Sequence, residues 1–325
     1  MTPHVIEEKR PFDWRAFFQS YGLLLSLVLL CVVISLASDR FLKVDNLINV
    51  LRQASINGII SIGMMMVILI RGLDLSVGSV LAFATVVAAD LLSRGEVTGV
   101  TPLGAIGIAV LVGGLAGMVN GALVTWVKIP PFIATLGMMT FARGAALQYT
   151  GGQPITGMAE LGEGIRFLGS AEVAGIPVPI LAMGVLYLLA YILLNHVPFG
   201  RFIYAMGNNE EAAFLSGLPV KRLKMFVYIV SGALAAFAGI ILMGRLNSAQ
   251  PTAGELFEFD AIAAVVVGGT SFSGGEGTIS GTLIGVLIIA VLNNGLNLLS
   301  VPSFYQDIAS GVVIALALLL YRAIR

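Results

Sequence analysis

Charge is scarce in this sequence: 18 basic and 18 acidic residues among 325 leave only 11% charged, against roughly 25% in a soluble globular domain. That scarcity excludes an ordinary soluble enzyme, which needs far more polar surface than this chain can supply. The formal net charge is zero, so no basic excess points to nucleic acid. Cys31 is the single cysteine, which excludes an internal disulfide framework and a thiolate zinc site. His4 and His196 stand alone in their neighbourhoods, so no metal centre is expected. A G-x-x-x-x-G-K-[ST] phosphate loop is also missing, and the glycine-rich Gly274-Gly275-Glu276-Gly277-Thr278 has no lysine to reach a phosphate. Any ATP hydrolysis would therefore belong to a partner. No nucleophile motif or paired intramembrane carboxylates suggest a membrane enzyme.

What the chain has instead is apolar length. It is 58% hydrophobic with a mean hydropathy of +0.96. No charge occurs between Arg15 and Asp39, Arg52 and Arg71, Glu96 and Lys128, Lys224 and Arg245, or Glu276 and Asp307. Runs of about 18 residues or more without charge can cross a bilayer as helix. The pattern predicts an all-α integral membrane protein of about ten segments, near 20–37, 50–70, 75–92, 103–126, 132–149, 178–195, 225–243, 259–272, 278–299 and 304–321. The eighth is too short for a straight crossing. The first apolar run is expected to be retained as a helix, since it is too long for a secretory signal and its cleavage site is weak.

Basic residues set the orientation, because Lys and Arg stay on the cytoplasmic side. A cytoplasmic N-terminus puts eleven inside, from Lys9 through Arg71, Lys128, Arg201 and Lys221 to Arg325, and five outside. Arg52 and Arg143 are left at membrane depth. The organisation predicted is a cytoplasmic segment 1–19, then a membrane domain 20–325 with both termini inside. Its cytoplasmic loop is 196–224 and its outward loop 150–177. The protein is expected in the bacterial inner membrane.

Short or broken helices and a loose repeat are also visible. Arg71–Gly78 before one helix resembles Gly268–Gly275 before another, and Asn120-Gly121 recurs as Asn294-Gly295. Counted as five segments apart, the copies would be inverted, as in many transporters. Shared Gly/Ser composition gives the same similarity without a repeat.

The loop 196–224 carries the most informative stretch. Asn208 is a suitable N-cap for a short helix over 209–215 with Glu210 and Glu211 in its first turn, where the macrodipole favours acids. Gly217 and Pro219 would end it. A short capped helix outside the membrane, with small Ala212 and Ala213, suits docking into a groove on a soluble partner. An ordinary surface helix would read the same way.

Here the sequence resembles the permease subunits of ribose-type monosaccharide ABC importers. The resemblance rests on Gly200-Arg201 through Gly207-Asn208, Glu211-Ala212-Ala213 and Ser216-Gly217. It continues in Gly72–Ser79, Pro131–Gly137, Ser248–Gly254, Phe259–Thr270, Gly274–Thr282 and Leu292–Leu299, in unbroken order over roughly residues 40 to 320. It implies a homodimeric pore whose coupling loops, with Gly200, Arg201, Gly207, Asn208, Glu211, Ala212, Ala213 and Gly217, bind cytoplasmic ABC ATPase subunits that use ATP and Mg. A periplasmic sugar-binding protein would deliver the solute. No cofactor is expected on this chain.

A neutral sugar is handled by amides and hydroxyls more than by fixed charge. Asn57, Asn120, Gln250, Thr252, Asn293, Asn294 and Asn297 are therefore candidates for the route, with interhelical hydrogen bonding as the alternative for each. Asp74 joins them as a candidate, although capping of the following helix is the stronger reading. Arg143 and Asp260 need partners or water at depth. The rivals are an ion-gradient carrier, for which Asp90, Asp260 and Asp307 are available, and an ABC permease for another solute such as a branched-chain amino acid or polyol.

Overall fold

A computed structural model describes residues 14–157 and 162–302, with 304–306, 308 and 311–312 beyond them. Among these residues five helices are long and apolar enough to cross a membrane. They are α2 (Val44–Leu69), α5 (Pro102–Ala122, prolonged by a π turn over Leu123–Val127), α8 (Val178–Asn195), α11 (Val220–Leu246) and α13 (Ile279–Leu298). Around them stand α1 (Trp14–Ala37), α3 (Val77–Ser93), α4 (Gly95–Thr98), α6 (Pro131–Thr150), α7 (Glu163–Ser170), α9 (Pro198–Asn208), α10 (Glu210–Leu215) and α12 (Phe257–Val267). Nine of the segments read from the sequence coincide with helices, and α12, at 11 residues, is as short as the eighth was expected to be. The tenth falls largely outside the described residues.

The chain is inside-out by the standard of a soluble protein. Leu36, Leu103, Leu111 and Leu188 are 58–85% exposed on the flanks of α1, α5 and α8, an arrangement stable only against lipid. At the centre lies α2, whose Ile59, Met64, Met65 and Leu69 are fully buried. Helix α11 crosses α5 so closely that a Cβ added at Gly117 would lie 2.0 Å from the Tyr228 carbonyl, and one at Gly232 would lie 2.1 Å from that of Gly113. Small residues let backbones approach where lipid gives no hydrophobic drive for association.

The two ends of the bundle are built differently. The segment 150–177, read as an open loop, holds α7 and a strand β1 (Ile155–Thr156) that pairs antiparallel with β4 (Ser248–Ala249), Ile155 opposite Ala249. A second small hairpin joins β2 (Glu172–Val173) to β3 (Ile176–Pro177). These pairings escape sequence reading because two-residue strands carry no periodicity. The other end carries α9 and α10. With 27 residues, α11 starts beside α10 and finishes beside β4, a rise of about 40 Å at 1.5 Å per residue.

One expectation is corrected. The glycine-rich breaks at Arg71–Gly78 and Gly268–Gly275 are not at opposite faces: the Gly275 amide donates to the Leu69 carbonyl at 2.9 Å. A backbone hydrogen bond cannot join opposite sides of a bilayer, so α3 and α13 both start from the α10 end.

Candidate coupling face and polar cleft

The α9–α10 region is fixed by local chemistry. Asn209, not Asn208, is the N-cap of α10: its side-chain oxygen accepts from the Ala212 amide at 3.0 Å. Asn208 instead ends α9, so the predicted cap moves by one residue, because either asparagine can play that part and only the backbone turn at 209 is extended. The stretch 198–208, read as part of a loop, is helical, with Pro198 at its first turn, where proline suits helix entry. Gly217, at φ 83°, closes α10 as expected, and its amide donates to the Phe214 carbonyl at 2.9 Å.

Three contacts tie the α9–α10 region to the membrane part. Lys224 of α11 donates to both carboxylate oxygens of Glu210 at 2.7 Å. Ala213 is buried against the core. Arg71, on the break after α2, donates to the Gly207 carbonyl at 2.7 Å and the Asn208 carbonyl at 2.5 Å. Gly207 fills no space, since a Cβ there would meet the Leu69 carbonyl at 2.0 Å. Gly200 is likewise packed against the end of α8. Tyr204 donates to the Gly277 carbonyl at 2.9 Å, and burial pushes its hydroxyl pKa up. The α9–α10 region thus contacts α11, the break before α3 and the break before α13.

Arg201, Glu211 and Ala212 are exposed, and so are two large apolar side chains: Phe214 is 64% and Leu215 77% exposed. The sequence reading passed over both, although apolar residues next to Glu210 and Glu211 on so short a helix could have signalled a contact surface.

The pathway candidates scatter. Asp74 and Asn120 lie in a closed network: Asp74 accepts from the Ser76 hydroxyl at 2.6 Å and amide at 3.1 Å and from the Ser231 hydroxyl at 2.9 Å. Asn120 donates to the Ser76 hydroxyl at 2.9 Å. Both residues are at most 1% exposed, and together they bind the α2–α3 break to α5 and α11. Asn294 exchanges two 3.0 Å hydrogen bonds with Asn46 of α2. Asn297 accepts from Gln306 at 2.9 Å. Gln250 and Thr252 are exposed after β4 at the opposite end.

Asn57 and Asn293 come together on an opening instead. With Gln53 and Asp260 they line a cleft of about 60 Å³ between α2, α12 and α13. Asn57 donates to Asp260 at 3.2 Å, while the side-chain oxygens of Asn57 and Asn293 are buried without a hydrogen-bond partner. The two embedded arginines also find partners: Arg143 donates to the carbonyls of Pro251 at 2.6 Å and Ala253 at 3.0 Å, and Arg52 pairs with Glu172 at 3.2 Å.

A bundle of apolar helices, faced by lipid-compatible side chains and carrying a clamped external helix, defines a multi-pass membrane permease. Residues 46–318 match the family model described as "Branched-chain amino acid transport system / permease component", and the chain belongs to that family. It is a permease subunit of the ABC transporter class, in the inner membrane. It is 48% identical over 321 residues to the ribose import permease protein RbsC of Bacillus subtilis, covering 99% of this chain and 98% of that one. It is 45% identical to the ribose import permease protein RbsC of Escherichia coli K12, covering 98% of each chain. The D-allose transport system permease protein AlsC of the same strain is 40% identical, covering 98% and 96%. No solved structure matches.

Proposed function

We propose that this chain imports ribose or a closely similar monosaccharide, as one of two identical pore subunits driven by cytoplasmic ABC ATPases that bind α10. The observation that carries the reading is likeness at 45–48% identity, end to end, to permeases named for ribose import. The family description mentions branched-chain amino acids, but relatives covered over nearly their whole length are named for sugars. The chain crosses the membrane about ten times with both termini inside, so that α9 and α10 face the cytoplasm and α7 faces a periplasmic sugar-binding protein. ATP and Mg are used by the ATPase, and this chain binds no cofactor.

The coupling follows from the contacts. When the ATPases close they move α10, and the Glu210–Lys224 pair and Arg71 carry that motion into α11 and the glycine-rich breaks. Phe214 and Leu215 supply the apolar anchor, since buried aromatic contacts dominate binding at such interfaces. Asn57 and Asn293 serve the sugar's route, where their free oxygens accept from hydroxyl groups or water. Uptake of radiolabelled ribose by cells that lack their own ribose permease, supplied with this chain and its neighbouring ATPase and binding protein, tests the assignment. Accumulation is expected with ribose and not with leucine. Leucine uptake without ribose uptake would contradict it.

A further inference from the structure

Beneath α10 lies a cavity of about 630 Å³, walled by the break after α2, the π turn, the start of α6 and the base of α11. Its lining is unusual for a membrane helix bundle because four cations face it: Arg71, Lys128, Lys221 and Lys224. Glu210 and Glu211 are its acids. Lys224 and Glu210 neutralise each other at 2.7 Å, which leaves three cations against one acid. Arg71 spends its donors on neutral carbonyls, so its charge stays uncompensated there.

Two independent features mark the cavity as more than a cytoplasmic basic rim. Arg71 and Lys128 both hold left-handed backbones, at φ 60° and 63°. Such strain in non-glycine residues persists where surrounding structure over-determines it and gathers at ligand clamps. Thr125, 7% exposed, lines the same cavity, and its hydroxyl has no hydrogen-bond partner. A buried donor without a partner is costly unless something else accepts from it.

We propose that this cavity binds a phosphate-bearing anion. A phosphate group matches excess cations with an acceptor oxygen for the Thr125 hydroxyl, and the volume falls in the range of small-molecule sites, roughly 300–1,000 Å³. The site is separate from the Asn57–Asn293 cleft, and its existence does not depend on which sugar is carried. Because it joins the π turn to the base of α11 and to α10, its occupant would stiffen the mount of the docking helix. The phosphate belongs either to a soluble phosphoryl compound or to a lipid headgroup.

The full chain in nanodiscs of phosphatidylcholine, titrated calorimetrically with inorganic phosphate and separately with short-chain phosphatidylglycerol, tests the site. One saturable site per chain is expected, weakened at least about tenfold in Lys128→Gln/Lys221→Gln and severalfold in Thr125→Val, with both variants eluting as the parent does. Saturation by inorganic phosphate assigns a soluble ligand, and saturation by phosphatidylglycerol alone assigns a lipid headgroup. No saturable binding of either probe, or unchanged affinity in both variants, overturns the proposal.

Discussion

Two polar clusters inside this bundle use the same side chains to opposite ends. Around Asp74 every donor points inward: the Ser76 and Ser231 hydroxyls and the Asn120 amide are consumed within the cluster, and only the Asn120 oxygen has no partner. Around Asn57 and Asn293 the side-chain oxygens open on a cleft and stay unspent. The difference teaches that an amide in a membrane helix is structural when its neighbours are hydroxyls that close on it. It is available when its neighbours are small apolar residues such as Ala54, Ala264 and Ala290 that leave room.

Substitutions can break that distinction. Asp74→Ala has the largest expected effect, because it orphans the Ser76 and Ser231 hydroxyls in the core at once. It should cost about 3 kcal/mol, read as a loss of monodisperse protein after graded heating in detergent. Asn120→Ala removes one bond to Ser76 and should cost about 1 kcal/mol in the same assay. Asn293→Leu should leave stability within about 0.5 kcal/mol while lowering the sugar uptake rate severalfold. Equal destabilisation of both clusters would erase the contrast. The smallest effect is expected at the other end of the bundle, where Arg52→Gln breaks a partly exposed pair with Glu172 and should shift stability by no more than about 0.5 kcal/mol.

Much of the fold was legible because lipid imposes a simple rule: uncharged runs must be helices. The positions of α2, α5, α8, α11 and α13 follow from it, and the short α12 was visible as a run too brief to cross. What the sequence hid depends on contacts between distant segments. Asn57, Asp74, Asn120 and Asn293 look alike in one dimension, and only the packing of Ser231 against Asp74 sets two of them apart. The supposed inversion of the glycine-rich motifs failed for the same reason, since the Gly275–Leu69 hydrogen bond links residues about 200 positions apart. The α10 helix was placed to within one residue because its cap, its acids and Gly217 are all local signals.

The central claim is that α10 is where an ATPase drives this permease, and copurification tests it most directly. The chain should be extracted from native membranes in mild detergent beside a Phe214→Asp/Leu215→Asp variant. The bound proteins are then identified by mass spectrometry and assayed for ATP hydrolysis. The account predicts a nucleotide-binding subunit with the parent chain and its loss from a variant that still elutes as folded protein. An ATPase retained by the variant, or a parent chain that purifies alone and takes up solute without ATP, would contradict it.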